Sequence, residues 1–225
     1  MGCCQSGNTP KKNSEAVKVT PPHTSTPYHN FEAIVKEADD QSNLLQRVHS
    51  GIYLDNKRKK YWVDGSGYNA FTLFARSLNI AWGGEPRYWE WIRSKDAFGE
   101  AEVDVARLKS VCWFDVPGKI ETSLLSPGVD YEVLFILSMN VSAHGWDNLV
   151  TLKLECQDKI LEEQTLNLEK QINPKGKWVE LPVGKFRTSD SMGDVIKFAM
   201  FECKSNMWKG GLLVQGVTIR PLKGA

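Results

Sequence analysis

What most constrains this chain is a change of rhythm at Gly51, after which short apolar runs alternate with clusters of turn-forming residues. The runs lie at 61–63, 71–75, 78–82, 111–116, 131–139, 149–155, 178–183, 196–202 and 212–220. Between them stand Pro117-Gly118, Ser126-Pro127-Gly128, Asn173-Pro174-Lys175-Gly176 and Gly210-Gly211. These supply the fixed φ of proline or the positive φ that glycine adopts at little cost. Runs at this spacing predict an all-β domain over 51–225, a two-sheet antiparallel β-sandwich of jelly-roll-like form, with a barrel as the other possibility.

The chain ahead of Gly51 reads differently. Residues 1–29 are rich in Ser, Thr, Pro, Asn and Lys and poor in large apolar side chains, which predicts a disordered arm. In 30–50, Phe31, Ile34, Val35, Ala38, Leu45 and Val48 recur at helical spacing before Gly51, predicting a short amphipathic helix with a break near Asp39 and Asp40. With 28 basic and 27 acidic side chains, the composition argues against a dedicated nucleic-acid binder. The run Lys57-Arg58-Lys59-Lys60 reads as a solvated turn, with RNA, an import receptor or anionic lipid as its alternatives.

Five cysteines, Cys3, Cys4, Cys112, Cys156 and Cys203, show no metal-ligand spacing. Their odd number, with no signal-like apolar region and no long apolar run, predicts a cytoplasmic protein that is not secreted, and an unused sequon at Asn140-Val141-Ser142. Met1-Gly2-Cys3-Cys4-Gln5-Ser6 fits the pattern for myristoylation of Gly2, with Cys3 and Cys4 placed for palmitoylation. One acyl chain holds a protein to a bilayer only marginally and a second makes the attachment stable, so the expectation is membrane association. The alternative is an unmodified arm whose cysteines form intermolecular disulfides.

Four of the eight tryptophans, Trp82, Trp89, Trp91 and Trp113, fall close together, around the loop Gly83-Gly84-Glu85-Pro86. A pyranose presents a flat C–H face rimmed by hydroxyls, so a site for it needs an aromatic plate beside polar acceptors. Glu85, Glu90 and Glu202 are candidate acceptors by type. Trp113 and Trp178, inside apolar runs, are expected in the core, whereas the pattern around Trp82 and Trp89 leaves core packing and ligand contact both open.

Several ordered blocks carry a resemblance. Lys60-Tyr61-Trp62, Asn69-Ala70-Phe71, the run from Ala75 to Gly83, Pro86-Arg87-Tyr88-Trp89-Glu90-Trp91, Val111-Cys112-Trp113-Phe114-Asp115-Val116, Trp208-Lys209-Gly210-Gly211 and Gly216-Val217-Thr218-Ile219-Arg220-Pro221 are similar to the phloem protein 2 family, which includes the Nictaba-related plant lectins. The likeness covers residues 52–222. It implies a β-sandwich lectin for N-acetylglucosamine oligomers, such as chitin fragments and the N-glycan core of glycoproteins, acting without catalysis, metal or other cofactor. The family's site maps onto Trp82 and Trp89 with Glu202; its second carboxylate falls at Val195, with Asp194 one position away. Glu85, by residue type, and Trp208 are the further candidate sugar-binding residues. The resemblance also implies a cytoplasmic place in sieve elements or companion cells and a role in defence or signalling. Filament-forming phloem proteins and RNA enter as alternative partners, and a homodimer would add avidity. The residues that could serve glycoside hydrolysis, Glu85, Glu90, Asp194 and Glu202, are weighed against the absence of any Ser-His or Cys-His arrangement, and a binding protein is the expectation.

Overall fold

The computed structural model describes residues 1–2, 28–97, 99–189 and 194–222. The expected arm, with Cys3 and Cys4 in it, lies almost wholly outside the described residues. The remainder is built from twelve strands, with three one-turn helices.

The strands are β1 (Ile52–Leu54), β2 (Lys59–Val63), β3 (Asn69–Phe74), β4 (Trp89–Lys95), β5 (Glu102–Leu108), β6 (Phe114–Glu121), β7 (Asp130–His144), β8 (Val150–Cys156), β9 (Lys159–Leu166), β10 (Val179–Arg187), β11 (Val195–Glu202) and β12 (Gly210–Pro221). They form an eight-stranded and a four-stranded sheet, and every strand pairing is antiparallel. In the larger sheet β12 is the spine. It pairs with β7 on one side, and with β3 and then β5 on the other, while β1-β2 and β4 extend the edges and β10 lies outside β7. The smaller sheet runs β6-β11-β8-β9.

Alternation decides what each strand buries. In β11, Ile196, Phe198, Met200 and Glu202 point inward. Across the gap Phe198 meets Phe135 of β7 edge-on, with ring centroids 6.1 Å apart, and Phe114 of β6 meets Trp146 at 5.2 Å in a T-shaped pair. Burying each such side chain contributes about 1.5–3 kcal/mol. The two inner faces thus make one core, as the apolar runs predict.

Three sequence expectations need correction. The segment 30–50 does break around Asp39 and Asp40, but the helix on either side of the break is one turn only, α1 (Phe31–Ile34) followed by a 3₁₀ turn at Val35–Glu37, and α2 (Leu44–Arg47). Phe31, Ile34, Val35 and Val48 do enter the core, but Ala38 bridges to Leu54 and the Asp39 carboxylate accepts from the Asn56 and Lys57 amides, drawing the backbone out of helical form. The run 78–82 is not a strand: Asn79 and Ala81 donate to the Pro117 and Asp115 carbonyls on the edge of β6, and the chain then turns at Trp82. Finally, β1, β4, β5 and β9 are additional strands; β9 is solvent-facing along almost its whole length and so lacks the apolar run that marked the others.

The basic run is largely neutralised. Lys59 pairs with Glu37 at 2.9 Å, and Lys60, buried, pairs with Glu100 at 2.5 Å. The third helix, α3 (Leu168–Gln171), begins with the Asn167 side chain accepting from the Lys170 amide.

Candidate functional site

The indole N–H groups sort the tryptophans. Trp89, Trp91 and Trp146 each donate to a backbone carbonyl, of Ala81, Gly83 and Gly210 respectively, at 2.8–3.0 Å. The Trp82 and Trp208 indole N–H groups make no hydrogen bond among the described residues, and the two side chains are 56% and 55% exposed. A buried indole finds an acceptor for its N–H, so the first three are structural, and the last two face solvent with a donor to spare.

The turn that presents Trp82 is local in origin. Trp82 has φ of 60°, a left-handed conformation that a bulky side chain rarely adopts, and the Gly83 amide closes the turn on the Ile80 carbonyl at 2.9 Å. The Glu85 amide then bonds the Trp82 carbonyl, and the Glu85 carbonyl accepts from the Tyr88 and Trp89 amides, so the loop folds back on itself before β4 begins. Tyr88 is thereby held against Trp82, with centroids 6.0 Å apart and edges to faces. On its other side Tyr88 lies 6.5 Å from the Trp208 ring. Trp82, Tyr88 and Trp208 form a continuous aromatic strip at one end of the sandwich.

A buried ion pair carries the Trp208 arm of the strip. The Lys209 ammonium meets the Glu202 carboxylate at 2.7 Å, with side-chain exposures of only 1% and 5%. Lys209 donates further to the carbonyls of Cys112 and Met207, while Glu202 accepts from the Lys204 and Ser205 amides and from the Ser205 hydroxyl. Burial alone would raise the Glu202 carboxyl. The Lys209 ammonium, the Ser205 hydroxyl and the two amides outweigh that and hold it at about 2. Gly145 sits beneath the same arm at φ of 76°, where a side chain would collide with the Trp208 carbonyl and backbone of Lys209.

The structure brings only some of the expected site residues together. Trp82 and Trp208 are in the strip. Trp89 is 2% exposed and packs on Phe114 in the core, which corrects the expectation of a second open plate there. Glu202 is close by, but its oxygens are consumed within the loop, so it is a strut for Trp208. Asp194 stands at the opposite end of β11, roughly 26 Å away for an extended strand, where it pairs with Gln157 and its carbonyl accepts from Thr122. Glu85 is on the Trp82 loop, paired with Arg87 at 3.1 Å, and Glu90 is engaged by Arg107. Trp113, expected in the core, is 55% exposed, and Trp178 is half-buried on the outside of the larger sheet beside Phe74 and Val105.

Three residues belong to this region that residue type alone does not reveal: Tyr88, Lys209 and Asp115. Asp115 is half-buried, its carbonyl accepts from the Ala81 amide beside Trp82, and its carboxylate has no hydrogen bond or ion pair among the described residues. Partial burial pushes its carboxyl above the usual value. Among the described residues it is an acceptor without a partner. Its only signal in the sequence is its position, one residue after Trp113 and outward-facing in β6.

The family model for phloem protein 2 matches residues 68–221. The Arabidopsis thaliana protein PHLOEM PROTEIN 2-LIKE A1 is 38% identical over 218 residues, 91% of this chain and 88% of its own length. A lectin of Luffa acutangula is 38% identical over 203 residues, 86% of this chain and 94% of its own. Among solved structures, the Podospora anserina GH26-CBM35 beta-(1,4)-mannanase is matched at 9% identity and TM-score 0.40, over 69% of this chain and 28% of that one, a likeness too remote to carry an argument. With two thirds of its length under the family model and relatives matched along nearly their whole extent, the chain belongs to the phloem protein 2 family.

Proposed function

We propose that this protein is a non-enzymatic lectin that binds N-acetylglucosamine oligomers, as chitin fragments or the core of N-glycans, across the Trp82–Tyr88–Trp208 strip. The observation that carries the reading is the pair of exposed indoles with unengaged N–H groups, held in place by a folded-back loop on one side and a buried ion pair on the other. Sugar C–H faces stack on the rings. The indole N–H groups donate to ring hydroxyls and acetamido carbonyls, and Asp115, with Glu85 next to it in rank, accepts from hydroxyl or amide protons. A desolvated hydroxyl left unpaired costs about 1–3 kcal/mol, so these polar neighbours decide which sugar stays.

The name of the Luffa relative supports a lectin, and the names of the Arabidopsis relatives support a place in the phloem. Acylation at Gly2, Cys3 and Cys4 would add a membrane anchor to this picture. No helix among the described residues is long and apolar enough to cross a membrane. Myristate labelling of wild type and of Gly2→Ala tests the anchor, and equal distribution of both between membrane and soluble fractions would remove it.

Retention on chitin tests the sugar reading. Wild type is expected to bind and to elute with chitotriose, whereas Trp82→Ala and Trp208→Ala pass through with unchanged circular dichroism. Retention of both variants at wild-type level overturns the site. Release of shortened oligomers from chitohexaose would overturn the non-enzymatic assignment.

A further inference from the structure

From the Gly83-Gly84 loop beside Trp82, a groove leads away from the aromatic strip to a cavity lined by arginines. One hollow is bounded by Gly83, Gly84, Pro86, Trp89, Trp91 and Lys109, with Glu90 engaged by Arg107; the next shares Gly83, Gly84 and Trp91 with it and adds Arg58 and Arg76. The third, of about 610 Å³, shares Arg58 and Arg76 and adds Arg93. Among the described residues nothing stands within 4 Å of where a Gly84 side chain would project, so the space beside Gly84, which both hollows share, is open.

The arginines differ in how firmly they are held. The Arg76 guanidinium lies 3.7 Å from the centre of the Trp91 ring and bonds Asp104 at 2.9 Å, which fixes it as the floor. Arg58 and Arg93 reach Asp55 and Asp104 only at 3.9 and 3.8 Å, the two longest ion pairs among the described residues. Lys57 lines the cavity as well, so four cationic side chains stand against Asp39, Glu102 and Asp104. Asp39 accepts two backbone amides, Asp104 is shared between Arg76 and Arg93, and Glu102 stands opposite Lys95 in the β4–β5 register. Two loosely held guanidinium forks over a fixed third are suited to an oxyanion, which they can grip with paired N–H donors.

We infer that this cavity is an anion-binding subsite for a sulfate, phosphate or carboxylate group carried on an oligosaccharide whose neutral part lies on the Trp82 strip. The inference rests on the sugar-binding reading of that strip for the neutral end of its ligand. It predicts that the protein prefers acidic glycans over uncharged ones of equal length.

The test compares chitohexaose with 6-O-sulfated chitohexaose by titration calorimetry on the full chain. Wild type is expected to bind the sulfated oligomer about tenfold more tightly. In the double variant Arg58→Gln with Arg93→Gln, both surface residues, that advantage disappears while affinity for the neutral oligomer is unchanged. Millimolar inorganic sulfate is expected to erase the advantage in wild type. An equal affinity for both oligomers, or an advantage that survives in the double variant or in excess sulfate, overturns the subsite. Displacement of the sulfated oligomer by single-stranded RNA at equimolar amounts, with steep salt dependence, overturns it in favour of phosphate-backbone binding. Failure of the neutral oligomer to bind wild type, with sulfated binding still dependent on Arg58 and Arg93, leaves the anion site standing and removes only the neutral-sugar reading.

Discussion

Replacing Glu202 by Gln separates a carboxylate that touches sugar from one that holds a loop. The side chain keeps its shape and an acceptor for the Lys204 and Ser205 amides, but loses the charge opposite Lys209. Lys209, 1% exposed at its side chain, is left with the carbonyls of Cys112 and Met207. Breaking a buried pair by removing one partner costs about 3–5 kcal/mol, and the two remaining carbonyls place this case near the lower end. Over the upward push of burial, the same contacts, with Lys209 first and the Ser205 and Lys204 donors after it, hold the carboxyl at about 2 against an ordinary 4.5, an interval on the order of 3 kcal/mol.

The sign fixes the pH window. A carboxyl depressed on folding stabilises wherever it is ionised in both states, so the contribution is full above about pH 5, declines as pH falls below 4.5 and is gone below about 2. Urea unfolding of wild type and Glu202→Gln is therefore expected to differ by about 3 kcal/mol at pH 7, with the difference closing on acidification. Chitotriose affinity of the folded variant should fall only a few-fold, through a looser Trp208. Unchanged stability together with abolished binding would refute the strut and place the carboxylate against the sugar.

Three further outcomes follow from the same geometry. Trp82→Gly removes a left-handed tryptophan, relieving about 1 kcal/mol of backbone cost while adding about 0.4–1 kcal/mol of unfolded-chain entropy, so thermal denaturation should shift by a few degrees at most as sugar binding is lost. Trp89→Ala, by contrast, empties the core beside Phe114 and frees the Ala81 carbonyl, and is expected to cost about 3–5 kcal/mol in urea titration; a cost under 1 would return Trp89 to the list of open plates. Gly118→Ala drives a methyl group into the Phe198 ring and to 2.9 Å from Leu78, which should destabilise by about 1–3 kcal/mol, and a neutral result in the same titration would show that β6 lies farther from β11's inner face.

The fold class was legible because apolar runs and turn clusters report strands directly, and the missing strands are those that lack one or the other signal. In β9 the side chains from Lys159 to Thr165 are exposed, so no apolar run exists to be read. In β5, Val103, Val105 and Leu108 alternate with Glu102, Asp104 and Arg107, but no turn cluster of proline and glycine bounds the run. The helix over 30–50 is shorter on both sides of its break for a different reason. Its apolar spacing describes which residues reach the core, and a pairing with β1, set by residues distant from that spacing, overrides the helical backbone.

For the site, residue type was a weaker guide than strand parity. Once β4 is seen to start at Trp89, that residue lies opposite Leu108 and must face the core with it, whatever its aromatic surface suggests. In β6, Phe114 and Val116 point inward, so Asp115 points out, and the residue before the strand, Trp113, follows the same outward phase despite standing in an apolar run. In β11 the inward set of Ile196, Phe198 and Met200 continues to Glu202, which puts a carboxylate at the rim of an apolar core and demands a cation there. Lys209, whose backbone bridges to Val111 beside that rim, supplies it. Trp82 alone escapes parity, because its left-handed backbone breaks the strand phase and turns the ring to solvent. The exposed plate therefore exists because of an unfavourable backbone state at Trp82, and the carboxylate nearest Trp208 is occupied because of an ordinary strand alternation.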